Sequence, residues 1–114
     1  MELPREAKLL RVFVGEDDKY QGRPLYEAIV HKAREAGLAG ATVYRGVLGY
    51  GANSRVHTAK ILRLSQDLPV VVEIVDTGDN IQAFMPTLDG MLSEGLVTLE
   101  KAEVIFYRHN GGRK

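Results

Sequence analysis

Three histidines, one acidic cluster and one arginine-flanked glycine loop are the places in this sequence where chemistry could begin. His31, His57 and His109 form no pair at metal-ligand spacing within one element, so no metal centre is expected from them. His31 stands beside Lys32 and Arg34 and reads as part of a solvated helix surface. His57 follows Arg55 and flanks the glycine loop, which makes it a candidate ligand contact. Glu16, Asp17 and Asp18 read as a solvated loop. The stretch Gly46-Val47-Leu48-Gly49-Tyr50-Gly51, between Arg45 and Arg55, is the pattern an anion would use. Glycines let backbone N–H groups approach closely, and arginines supply charge and bidentate geometry for phosphate oxygens. Tyr50 between two glycines could stack on a base or fill a gap between subunits. The same glycines at a strand end would equally make an ordinary hairpin turn.

Composition removes most other chemistries. The chain has no cysteine, which excludes a thiolate nucleophile, a disulfide scaffold, a cysteine zinc site and an iron–sulfur cluster. No Gly-x-Ser-x-Gly elbow, Walker loop or HExxH motif is present. A small hydrolase of the acylphosphatase kind needs a basic glycine-rich cradle after its first strand, and Gly15-Glu16-Asp17-Asp18 is acidic there. A non-enzymatic binding domain is therefore expected. Across 114 residues, 15 Lys+Arg balance 15 Asp+Glu, which speaks against a main affinity for nucleic acid or an anionic membrane. The nearly apolar run from Leu68 to Val75 is interrupted by Glu73 and falls far short of the ~20 residues that span a bilayer. The opening MELPREAK has no apolar signal core. A cytoplasmic protein with no membrane insertion is expected.

The candidates need elements to position them. Lys8 to Val14 reads as a strand, followed by the polar loop Gly15–Gly22. Pro24 suits the first turn of a helix whose apolar stripe is Leu25, Ala28, Ile29, Ala33 and Ala36, with Gly37 as its C-cap. A strand from about Thr42 to Leu48 follows, then the loop Gly49–Ser54 and an extended arm over Val56–Leu64. Val70 to Val75 reads as a central strand buried on both faces. Asp79 and Gln82 resemble a capping box before a helix with Ile81, Phe84, Met85, Leu88 and Leu92 on one side. Pro86 inside that helix predicts a kink or a later start. The last strand, Val97 to Tyr107, changes apolar phase and predicts a bulge near Glu100–Ala102. The order predicts an α+β, ferredoxin-like βαββαβ sandwich with an antiparallel sheet and both helices on one face. It fills a single domain over 1–114, with a core at 8–107, a mobile arm at 49–58 and a tail at 108–114. The uncovered sheet face predicts oligomerisation.

The motifs Gly22-Arg23-Pro24-Leu25-Tyr26-Glu27-Ala28-Ile29-Val30, Gly37-Leu38-Ala39-Gly40-Ala41-Thr42-Val43, Arg45 to Gly51 and Asp67-Leu68-Pro69-Val70-Val71-Val72-Glu73-Ile74-Val75-Asp76 carry a resemblance over nearly the whole chain. They are similar to a small prokaryotic family known as domain of unknown function one-ninety, which in turn resembles the PII nitrogen-regulatory proteins. The resemblance implies a homotrimer that binds an adenine nucleotide (ADP or ATP, or an AMP-type ligand) in clefts between subunits and signals through a mobile loop. An association of some members with ion transporters implies a regulated protein partner of that kind. Thr42, entering the second strand, would lie near the adenine, and Val75 would wall the base pocket. Gly49-Tyr50-Gly51 would form the base of the signalling loop, and Arg108 would reach phosphates. Two departures stand out: one extra residue between Thr42 and Gly49, and Ser93-Glu94-Gly95-Leu96 where PII proteins carry the phosphate-clamping Gly-Asp-Gly-Lys. Arg45, Arg55 and His57 are the residues that would compensate. The alternative is a trimeric metal- or partner-binding module of the same fold without nucleotide.

Overall fold

The computed structural model describes residues 5–50, 57–58 and 68–109. Strand β1 (Glu6–Gly15) buries Leu10, Val12 and Val14 on one face and leaves Leu9, Arg11 and Phe13 half-buried on the other. The loop after it is more ordered than its polarity predicts. It folds into a short hairpin of β2 (Lys19–Tyr20) and β3 (Arg23–Pro24). Asp18 closes the turn by accepting the Gly15 N–H through its side chain at 2.9 Å and the Leu25 N–H through its carbonyl at 2.8 Å. Helix α1 (Leu25–Glu35) follows, with Pro24 one residue ahead of its first turn, at the N-cap. Leu25, Ala28, Ile29 and Ala33 are buried. Ala36 is exposed, because the helix has ended at Glu35 and the stripe ends with it. Gly37, at φ 81°, supplies the left-handed residue beyond the helix end.

The second strand is shorter than expected. β4 (Thr42–Arg45) stops at Gly46, and β5 (Leu48–Gly49) forms a separate ladder with the backbone of β6 (His57–Thr58). The rest of the expected arm over Val56–Leu64, residues 51–56 of the 49–58 loop and the tail beyond His109 lie outside the described residues. β7 (Pro69–Asp76) buries Val70, Val72, Ile74 and Asp76 but only half-buries Val71, Glu73 and Val75, so it is covered on one face rather than two. Its apolar run resembles a parallel-sheet strand, yet antiparallel sheets with helices on one side leave the other side open.

Helix α2 (Gly78–Met91) begins with Thr77, whose hydroxyl accepts the Asn80 N–H at 3.0 Å. The cap is therefore two residues before Asp79, whose charge instead sits in the first turn where the helix dipole favours it. The helix continues through Pro86, which is exposed; no late start occurs. An interior proline costs about 3 kcal/mol. Burial of Ile81, Phe84, Leu88 and Met91, each stabilising by roughly 1.5–3 kcal/mol, outweighs that cost. Met91, rather than Leu92, completes the buried stripe.

β8 (Leu96–Glu103) pairs with β1 in one unbroken register, from Phe13↔Leu96 to Glu6↔Glu103, with no bulge at Glu100–Ala102. The phase change has another cause. Val97 and Leu99 lie opposite Val12 and Leu10 on the helix face, and Ala102 lies opposite Ala7 on the open face. Val104 to Tyr107 have already left the strand. The principal sheet runs β4-β7-β1-β8 with every pair antiparallel. With α1 and α2 on one face, this is the ferredoxin-like βαββαβ arrangement. Its core joins Leu10, Val12, Val14, Val70, Val72 and Ile74 of the sheet to the apolar stripes of both helices.

Candidate functional site

The open sheet face carries a cavity of about 740 Å³ at the end where β4 begins. Its floor is Thr42 of β4, Glu73 and Val75 of β7, and Ala102 of β8. One wall is Ala39–Ala41, the segment entering β4; the other is Val104–Tyr107, which crosses over after β8. Strand alternation explains the floor. Thr42 lies opposite Glu73, and Val75 lies opposite Leu9, so all face away from the helices. The size falls within the roughly 300–1,000 Å³ range of small-molecule sites.

Both walls are fastened to Ala39. The fully buried Asp76 accepts the Ala39 N–H at 2.7 Å through one carboxylate oxygen. Its other oxygen accepts the Thr77 N–H at 2.6 Å and the Asn80 side-chain amide at 2.9 Å. From across the cavity, the Tyr107 hydroxyl approaches the Ala39 carbonyl at 3.5 Å. Val104 is held by its N–H to the Arg5 carbonyl at 2.7 Å.

Charge at the floor is organised around Arg11. Its Nε donates to Glu73 Oε2 at 2.8 Å and one terminal nitrogen donates to Glu100 Oε1 at 3.1 Å. The hydrogen bond to Glu73 is the main reason its pKa lies above the usual arginine value. At the far wall, Arg5 Nε donates to Glu103 Oε2 at 2.6 Å. The lining thus offers a hydroxyl, two orientated carboxylates, backbone polar groups and the aromatic rings of Phe106 and Tyr107. Such a set can accept hydrogen bonds from amino and hydroxyl groups and can pack against a flat ring.

The structure brings Thr42 and Val75 into this one cavity. Arg108 stands next to it, its guanidinium 4.3 Å from the centroid of the Phe106 ring in a cation–π contact. Arg45 belongs elsewhere. It sits on the helix-side register of β4, opposite Val70, and forms an ion pair with Glu16 Oε2 at 2.5 Å. Gly49 pairs with the backbone of His57 outside the cavity, and Tyr50 is 69% exposed. Gly51 and Arg55 lie outside the described residues. Glu73 and Asp76 lie within the Asp67–Asp76 motif, which assigns neither of them a role at the site, and the Val104–Tyr107 wall lies outside every motif. An acid directly between an apolar strand and the helix start at Thr77-Gly78 was the one available signal for Asp76.

Among the described residues, no three His, Cys, Asp or Glu side chains stand together in a way that could hold a metal ion. No helix among them is long and apolar enough to cross a membrane.

Comparison with known proteins adds a family and a fold. The DUF190 family model, described as "Uncharacterized ACR", matches residues 7–104. A UPF0166 protein of Aquifex aeolicus is 43% identical over 101 residues, covering 89% of this chain and 95% of the relative. A UPF0166 protein of Methanocaldococcus jannaschii is 37% identical over 100 residues, covering 87% and 92%. Among solved structures, a putative PII-like signaling protein from Thermus thermophilus superimposes with a TM-score of 0.63 at 14% identity, covering 88% of this chain and 90% of that one. CPII, a nitrogen regulatory PII-like protein from Thiomonas intermedia bound to ADP, AMP and bicarbonate, gives a TM-score of 0.58 at 17% identity, covering 95% and 90%. The chain therefore belongs to the DUF190 family, and its ferredoxin-like fold is that of the PII-like proteins.

Proposed function

We propose that this chain is a non-enzymatic PII-like regulator: a homotrimer that binds an adenine nucleotide in clefts completed between subunits. Occupancy is reported to a protein target, an ion transporter among the candidates, through the segment that follows β5. The observation that carries this reading is the cavity in which Thr42, Val75 and the Val104–Tyr107 segment converge on the open sheet face. That CPII was solved with ADP and AMP bound supports the ligand class. In this reading Thr42 and Val75 contact the base and Arg108 serves a phosphate. Gly49, Tyr50, Gly51, Arg55 and His57 belong to the responding arm, and Arg45 joins them only by leaving Glu16. Ligand binding orders the arm and changes its fit to the target, an order–disorder switch.

Isothermal titration calorimetry of the full chain with ATP, ADP, AMP and cyclic AMP tests the reading. Saturable binding of at least one of them, with one site per chain, is expected. Silence toward all four at millimolar concentration would overturn it.

A further inference from the structure

We propose that the cavity selects adenine ligands with few or no phosphates, adenosine and AMP-type monophosphates, over ATP; this rests on the nucleotide reading above and sharpens it. Four observations point the same way. Among the described residues, the cavity lining contains two carboxylates, Glu73 and Glu103, and no Lys, Arg or His. The arginines beside those carboxylates are already engaged. Arg11 spans Glu73 and Glu100, and Arg5 pairs with Glu103. Two guanidinium groups against three carboxylates leave the cluster with an excess of negative charge.

The third observation concerns the backbone. A phosphate cradle works by turning N–H groups toward the ligand. At the Ala39 wall that N–H is turned inward and taken by Asp76, a carboxylate held behind the wall with no exposure. The glycine-containing entry to β4 therefore sits on an anion instead of awaiting one. The fourth is Arg108, stacked on Phe106 at the rim. One guanidinium there suits the charge of a single phosphate, and a second or third phosphate extends into the field of the carboxylates. The remaining groups favour a nucleoside. Carboxylates and the Thr42 hydroxyl accept from ribose hydroxyls and an exocyclic amine, and Phe106, Tyr107 and Val75 supply apolar surface for the ring.

The test is a set of calorimetric titrations of the full chain, without magnesium and at fixed ionic strength, with adenosine, AMP, ADP and ATP. AMP is expected to bind tighter than ATP by about tenfold, the size of one uncompensated like-charge repulsion at short range. Glu73→Gln and Glu103→Gln each narrow that gap, and so does added salt, which screens the repulsion. ATP binding as tightly as AMP, or tighter, overturns the selectivity and leaves the nucleotide reading standing. A gap that neither carboxylate variant narrows overturns the electrostatic origin. Absence of binding by all four ligands overturns the nucleotide reading itself.

Discussion

Asp76 is a buried carboxylate on which three donors converge: the Ala39 and Thr77 N–H groups and the Asn80 amide. The carboxylate they share is fully buried, and together the three bonds join the end of β7, the start of α2 and the wall of the cavity. Asp76→Ala strands all three donors, at a cost on the order of 2–4 kcal/mol. Urea unfolding should show the midpoint falling by that equivalent with an unchanged m-value. A loss under 1 kcal/mol would show that water replaces the carboxylate without strain. Asp76→Asn is the informative partner, because it keeps the shape but can present an N–H to an N–H. This residue also shows the limit of reading from sequence. Thr42 and Val75 enter the candidate site through the family resemblance alone, and the strand register places both on the open sheet face. Asp76 stands one residue beyond the strand expected over Val70–Val75, at the end of the Asp67–Asp76 motif, and nothing local predicts that a loop 37 residues earlier supplies its partner.

Elements with a strong period were the most legible. The stripe Leu25, Ala28, Ile29 and Ala33 and the alternation of β1 both follow from one buried face. The second strand is shorter than its sequence predicts because its apolar residues continue past Gly46 while its ladder does not. The cause is tertiary. The Gly46 N–H donates to the Pro69 carbonyl at 2.7 Å, and a Cβ on Gly46 would lie 2.8 Å from Pro69 Cγ. On Gly49 it would lie 3.0 Å from the same atom. Neither glycine has a positive φ, so the requirement is space for the proline ring at the root of the arm. Nearby, the Glu16 N–H holds the Leu68 carbonyl at 2.8 Å while its side chain holds Arg45. Gly46→Ala should therefore destabilise by about 1–3 kcal/mol, as overpacking does. In a Pro69→Ala background most of that cost should vanish. A double-mutant cycle on unfolding free energy checks it, and additive losses would mean the methyl group meets something other than the ring.

At the scale of the molecule, the open sheet face is an unusual surface for a chain that would remain alone. Leu9, Phe13, Val71 and Val75 are half-buried there, and Tyr44 and Leu96 are 53% and 56% exposed. They surround the Arg11–Glu73–Glu100 ion pairs, which give an apolar surface a fixed polar centre. A contiguous patch of this kind on a small domain marks an interface. Covering it with two further copies fits both the fold and a cavity whose floor lies on the same face. Val71 is the position to test, because it stands in the middle of β7, points outward, and pairs with Phe13 and Tyr44 on its two sides. Val71→Asp places a charge on that face without touching the helix-side core. Sedimentation equilibrium should give three chains for the native sequence and one for the variant, with far-UV circular dichroism unchanged. Under the proposed reading, in which a neighbour completes the cleft, the variant should also lose nucleotide binding. A native protein that sediments as a monomer at micromolar concentration would remove the trimer. A monomeric variant that still binds nucleotide with native affinity would place the whole site within one chain.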